Sequence, residues 1–206
     1  MKTEPNVKRI LQKDLNFSIN QITKLDNFVK YLLNFNKNCN LISKNTEKNI
    51  WDRHILDSAQ LTKFINQEEC NSIADFGSGG GFPGIVLSIF YENYNFHVKL
   101  YEKSPLKSDF LRSLIKMLGL KSEVVCSDIN SLKIDSNFIV CRAFKKLPQI
   151  LNISRENCIK RHKMIIMKGR NAQEEINKAS QIKNYKYRLE KSITDKDSKI
   201  IILNAG

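Results

Sequence analysis

The stretch that decides the fold is Ile73-Ala74-Asp75-Phe76-Gly77-Ser78-Gly79-Gly80-Gly81-Phe82-Pro83-Gly84, followed by the apolar run Ile85-Val86-Leu87-Ser88-Ile89-Phe90. It reads as a short buried strand, an abrupt glycine turn and a helix. Five of the chain's eight glycines lie between Gly77 and Gly84, so backbone freedom is concentrated at one place. Glycine permits φ > 0 and lets a ligand approach the main chain, at an entropic cost. The helix that follows directs its free N–H groups at whatever sits over the loop. This pattern marks a nucleotide-type site; a purely structural turn is the competing reading.

Outward from that stretch the chain alternates strand and helix. Strands are expected over residues 73–76, 97–102, 123–126, 138–141 and 163–167, and helices over 83–90, 104–118, 147–161 and 172–183. Ser104 as N-cap, Pro105 in the first turn and Gly119 as C-cap bound the second of these helices. Residues 185–193 and 199–203 form a closing antiparallel pair around the turn Thr194-Asp195-Lys196-Asp197. Such alternation predicts an α/β fold: a Rossmann-like, doubly wound, mainly parallel sheet with an antiparallel final strand. Upstream, apolar residues spaced by three and four over 7–36 predict amphipathic helix in two or three pieces, with Ser18 and Asn20 as caps. A further helix is expected over 46–64 after the polar break at 34–40. The division expected is residues 1–66 as an N-terminal helical cap packed on a core of residues 67–206.

The chain has 206 residues, with 34 Lys+Arg against 21 Asp+Glu, a net charge of +13. That sign and size favour polyanionic partners such as nucleic acid or a ribosomal surface. Its five cysteines, Cys39, Cys70, Cys126, Cys141 and Cys158, are odd in number and form no CxxC pair, which argues against a zinc ribbon. Cys126 and Cys141 fall in strand patterns and are expected to be small buried hydrophobes. No metal site is expected, no apolar run reaches the roughly 20 residues of a membrane span, and Met1-Lys2-Thr3-Glu4-Pro5 lacks a signal-peptide core. The expectation is a cytoplasmic monomer.

The loop matches two strings. Gly79–Gly84 satisfies the dinucleotide GxGxxG; Asp75–Gly81 satisfies the DxGxGxG typical of S-adenosylmethionine (SAM) methyltransferases. The tight turn belongs where the strand ends, at Phe76/Gly77, and only the second register puts it there. An acid at Asp75 suits a ligand carrying an ammonium and a sulfonium better than a pyrophosphate. A P-loop is excluded because no GKS/GKT follows. This register makes Asp75, Gly77, Ser78, Gly79 and Gly81 candidate cofactor-binding residues, joined by Glu102, Ile129, Asn130 and Arg142 at or just after the ends of the following strands. Glu102 ends the second strand, where an acid accepts from ribose hydroxyls. Asn130 follows the third strand, near the expected adenine edge. Arg142 ends an apolar strand and needs a partner: the SAM carboxylate, an RNA phosphate or an internal acid such as Asp75. Lys168 has the same geometry on the next strand, and Arg142 and Lys168 are the catalytic candidates. His54 and Asp57, three apart on a helix, are either a functional pair or a surface hydrogen bond.

Several segments together resemble one family, the RsmG/GidB small-subunit (16S) ribosomal RNA guanine-N7 methyltransferases. The matching pieces are Asn40-Leu41-Ile42-Ser43, Arg53-His54-Ile55-Leu56-Asp57-Ser58, Asp75 through Ile85, Lys107-Ser108-Asp109-Phe110-Leu111, Arg142-Ala143-Phe144 and Met167-Lys168-Gly169. The resemblance implies SAM as cofactor, 16S ribosomal RNA or the small subunit as partner, and SAM contacts at Gly77, Phe82, Ile129-Asn130 and Arg142. The sequence departs from the family where Asp128 replaces its usual arginine and Asn130 its usual glutamate. Two rivals stay open: a non-catalytic NAD- or RNA-binding Rossmann module, and a SAM methyltransferase acting on something other than RNA.

Overall fold

The structure, a computed structural model, describes residues 1–66, 71–182 and 185–205. A seven-stranded sheet runs through it: β1 Ser72–Phe76, β2 His97–Glu102, β3 Glu123–Cys126, β4 Phe138–Arg142, β5 His162–Lys168, β6 Tyr187–Lys191 and β7 Lys199–Ala205. Their order is β3-β2-β1-β4-β5-β7-β6. The neighbours β3, β2, β1, β4 and β5 pair in parallel, whereas β7 runs antiparallel to both β5 and β6. Strand order therefore reverses at β1, and in open α/β sheets the crevice at such a switch point is where ligands bind.

Strands β1, β4 and β5 are largely buried on both faces because helices cover both, whereas the edge strands β3 and β6 are more exposed. On one face Ile73, Leu100, Val140 and Ile165 pack with the helices α1 Glu4–Asp14, α2 Ile19–Asn36, α5 Gly84–Phe90 and α6 Pro105–Leu118. On the other, Ala74, Ile139, Cys141 and Ile166 pack with α7 Leu147–Asn157 and α8 Ala172–Ile182. The residues alternate between the faces with the strand period of two. The N-terminal helix pair is fastened to the sheet's helices by side chain as well as by packing. Gln21, in the capping box at Ser18, donates to Ile89 O at 3.1 Å and Phe90 O at 2.8 Å.

The expected secondary structure differs from the observed at identifiable places. Asn20 lies inside α2, which Ser18 caps. Residues 46–64, expected as one helix, are a short α3 Lys44–Glu47, a π-helical turn Trp51–Leu56, one turn α4 Asp57–Ala59 and a 3₁₀ turn Gln60–Phe64. The apolar period is helical throughout, but the extra residue of the π turn redirects the side chains that follow. Helix α7 stops at Asn157 instead of 161, because Cys158 is drawn into a bridge with Ile134. Cys126 is exposed, not buried, since β3 is an edge strand; Cys141 on central β4 is buried. Cys70 and the expected last residue of α8, Lys183, lie outside the described residues. Among those residues no helix is long and apolar enough to cross a membrane.

Candidate functional site

At the carboxyl end of β1 the chain turns through Gly77, Gly79 and Gly81, all at positive φ. Gly77 cannot be replaced without strain: its φ is +71°, and a Cβ there would run into the Phe144 ring. The turn hangs on β2 and its end. Gly77 and Ser78 donate to Tyr101 O at 2.9 and 3.1 Å, and Gly79 N–H donates to Glu102 Oε2 at 3.0 Å. Glu102 Oε1 accepts from Ser104 N–H at 2.8 Å, so backbone donors fix both oxygens of this carboxylate before any ligand arrives. Above the turn lies a cavity of ≈ 470 Å³. Gly77–Gly80, Phe82, Glu102, Ile129, Arg142 and Phe144 line it, with Leu41 and Ile42 as its roof. Asn36 holds that roof by accepting from the N–H groups of Leu41 at 2.7 Å and Ile42 at 3.0 Å.

Not every sequence candidate reaches this cavity. Asp75 is fully buried behind the turn, where its Oδ2 accepts from Gly84 N–H at 3.1 Å and Oδ1 has no partner. Strand alternation explains this: Asp75 packs with the α5 face beside Leu100, so it anchors the helix start instead of facing a cationic ligand. Burial, opposed by Gly84 and Arg142, pushes its pKa up to about 7. Gly81 also faces inward, against Ile85 and Phe28. Asn130 donates through its side chain to Asp128 Oδ1 at 2.7 Å and lines a neighbouring cavity, so Ser127, Asp128 and Ile129 form the edge here. Ser78 lines the cavity while its hydroxyl donates to Asp75 O at 3.1 Å.

Arg142 is held by a hub drawn from distant parts of the chain. Its Nη1 donates to Arg53 O at 3.0 Å and to Asp57 Oδ2 at 3.3 Å, and Nη2 meets His54 Nδ1. The internal acid is therefore Asp57, not Asp75. Asp57 Oδ1 in turn accepts from Thr194 Oγ1 at 2.7 Å, Gln60 Nε2 at 2.8 Å and Ser192 Oγ at 3.0 Å. The side chains of His54 and Asp57 thus cooperate through Arg142 and not through a bond to each other, while Asp57 N–H donates to His54 O along the backbone. Burial, with Arg142 and Arg53 nearby, takes the His54 pKa down to about 3, so its ring is neutral at ordinary pH. Because Nδ1 accepts from Arg142, the ring proton belongs on Nε2. The Arg142 guanidinium lies 5.4 Å from the Phe82 ring centre, and the His54 ring packs on the same ring at 4.9 Å, tilted by 32°. Ala143 then takes φ +49°, a region a non-glycine residue occupies at a cost and which clusters at functional sites. That turn swings Arg142, Ala143 and Phe144 all onto the cavity.

A second cavity of ≈ 360 Å³ adjoins the first and shares His54, Arg142 and Ala143 with it. Lys168, at the end of β5, lines this second cavity and not the first. Glu175, which the sequence reading missed, pairs with Lys168 Nζ at 2.8 Å. Its only advance signal was position in the first turn of α8. Among the described residues no group of three or more His, Cys, Asp or Glu could hold a metal ion.

Comparison with known proteins fits this geometry to a family. The family model described as GidB, rRNA small subunit methyltransferase G, matches residues 21–201. Ribosomal RNA small subunit methyltransferase G of Pelagibacter ubique is 39% identical over 193 residues, covering 91% of this chain and 90% of that one. The protein of the same name from Rickettsia typhi is 39% identical over 183 residues, covering 89% and 93%. Among solved structures, a SAM dependent methyltransferase from Aquifex aeolicus matches with TM-score 0.61 at 15% identity, over 78% of this chain and 94% of that one. An O-methyltransferase from Bacillus cereus in complex with SAH matches with TM-score 0.60 at 15% identity, over 97% of each chain. At such identities these structures speak to the fold, a Rossmann-like methyltransferase sheet.

Proposed function

This chain belongs to the GidB family, so it is a SAM-dependent methyltransferase of small-subunit (16S) ribosomal RNA, and we propose that the atom it methylates is N7 of a guanine. The observation that carries the cofactor reading is the cavity over Gly77–Gly80 with Glu102 pre-set at its edge. The cavity's ≈ 470 Å³ lies in the range of small-molecule sites. Its lining suits an adenosine: Glu102 to accept from the ribose hydroxyls and the apolar Ile129 side chain beside the base. Gly77, Ser78, Gly79 and Phe82 bring backbone and ring to the ligand, and Arg142 offers a cation to its carboxylate. Asp75 and Gly81 support the turn from behind, and Asn130 steadies the Ser127–Ile129 edge through Asp128.

SAM held over Gly77–Gly80 by Glu102 and Arg142 would supply an electrophilic methyl carbon for N7, with the electrons of the broken C–S bond left on sulfur. Guanine N7 carries an in-plane lone pair and has no proton to lose, so no general base is required. The residues' task is positioning and tolerance of the positive charge that moves onto the base. A neutral His54 beside Arg142 helps, since a second cation there would oppose that charge. Outside the cavity the +13 net charge suits a phosphate-rich partner. In the same reading, residues 1–66 are a cap whose Leu41-Ile42 segment roofs the cavity, and the protein works as a cytoplasmic monomer.

The test is methyl transfer from labelled SAM to naked 16S ribosomal RNA and to small subunits, with NAD-saturated protein as a control. Label is expected in the ribosomal RNA of one or both, unaffected by NAD. Absence of label from both, or stabilisation of the protein by NAD and not by SAM, would overturn the reading.

A further inference from the structure

The second cavity, lined by Lys168 and Glu175 and set beside the first across Arg142 and Ala143, is not needed for the proposed cofactor contacts other than Arg142. We infer that it receives the target base, and that the Lys168–Glu175 pair selects guanine by its O6 and N1–H. This rests on the proposed function above and adds to it the means by which the base is chosen.

The pair is built for such a task. Lys168 follows the last residue of β5 registered with β4, Met167 opposite Arg142, so its side chain starts beside Ala143. Its ammonium donates to Lys145 O and meets Glu175 Oε2 at 2.8 Å. Glu175 stands in the first turn of α8, and the same Oε2 accepts Leu147 N–H at 2.6 Å. Both groups are largely buried, with side-chain exposures of 10% and 20%, so neither is a free surface charge. An ammonium has three N–H donors and a carboxylate about four acceptor positions. Among the described residues, one N–H of Lys168 and Oε1 of Glu175 therefore remain for a ligand, within a single ion pair.

A donor next to an acceptor is the complement of guanine, which presents O6 beside N1–H. Adenine presents the reverse, an amino group beside a bare N1, and would place donor on donor and acceptor on acceptor. The order of the pair also sets the orientation. With N1 at Glu175 and O6 at Lys168, the next ring atom with a lone pair is N7. It then lies on the Ala143 side, facing the wall shared with the cofactor cavity.

The test uses ribosomal RNA in which the methylated guanine is replaced by 2-aminopurine, which keeps N7 but lacks O6 and N1–H. Wild-type protein is expected to transfer methyl to the guanine RNA about 5- to 150-fold faster, the span of one good two-point base contact. Glu175→Gln should slow transfer to the guanine RNA by a factor in the same span, leave transfer to the 2-aminopurine RNA within about 2-fold, and leave SAM affinity unchanged. Lys168→Gln, made separately in case Glu175→Gln does not fold, should show the same asymmetry. Equal losses on both RNAs, or equal wild-type rates on both, would overturn the inference. Failure of the proposed function itself reads differently: wild-type protein would then label neither RNA.

Discussion

The glycine turn after β1 and the hub around Asp57 border the same cavity but are assembled in opposite ways. The turn comes from consecutive residues 75–84, and its bonds run to the adjoining strand end, Tyr101 and Glu102. The hub joins His54, Asp57 and Gln60 to Arg142 on β4 and to Ser192 and Thr194 after β6. The turn is preset once β1, the helix after it and the neighbouring β2 have formed; the hub, assembled from distant parts, exists only when the sheet has closed as far as β6. The turn should therefore govern cofactor affinity, and the hub should govern stability as well.

The sharpest contrast is expected at Arg142. Arg142→Ala leaves Asp57 and His54 without their cationic partner inside the protein, and breaking a buried pair costs about 3–5 kcal/mol. Denaturant unfolding should show that loss, and SAM titration a weakened or absent complex. Normal stability together with normal SAM binding would remove the hub from the account.

Next comes Gly84→Ala, directed at the turn. A Cβ there would stand 2.5 Å from Asp75 Oδ2 and press on the Leu100 side chain, and both of those side chains are fully buried with little room to give way. Overpacking of this kind costs about 1–3 kcal/mol. The added methyl should displace α5 and the turn together, so SAM affinity should fall by more than stability alone explains. An equal fall in both would merge the two regions into one structural unit.

A smaller effect separates them by pH. The Asp75 pKa, about 7 in the folded protein against about 4 when unfolded, means the folded state holds the proton more tightly. Its contribution to stability therefore declines as pH rises from about 4 to about 7. His54 is the reverse: its pKa of about 3 lies below the unfolded value of about 6.5, so stability is lost as pH falls through that interval. Between about pH 4 and 6.5 the two oppose. Asp75→Asn should leave His54 acting alone and make stability climb more steeply with pH across that window, measured by unfolding at several pH values. An unchanged slope would contradict the assignment of Asp75.

The smallest effect is expected at Asn130. Its side chain is exposed and bonded to Asp128, so Asn130→Ala should change stability by less than about 0.5 kcal/mol. SAM affinity should stay within about 2-fold. A large loss would give the side chain a direct ligand role.

The same difference in assembly decides what could be read from the chain. The strand–turn–helix at 73–90, the caps Ser104 and Gly119, and the β2 and β3 spans are legible because local chemistry fixes them. Arg142 and Glu102 are legible as polar residues ending apolar strands. The inward turn of Asp75 and Gly81 was not, because a string of glycines does not say which face each residue presents. Nor was the π turn at Trp51–Leu56, whose apolar spacing is that of an ordinary helix. The bond from Thr194 to Asp57 spans 137 residues and has no local signal at all. Glu175 acquired meaning only when α8 brought it to Lys168.

Guanine N7, a ring nitrogen that needs no base, is the proposed acceptor of the methyl, and digesting ribosomal RNA methylated in vitro to nucleosides locates the added carbon. The expected result is a single new N7-methylguanosine. Methyl on an exocyclic amine, on a ribose hydroxyl or on a base other than guanine would contradict it.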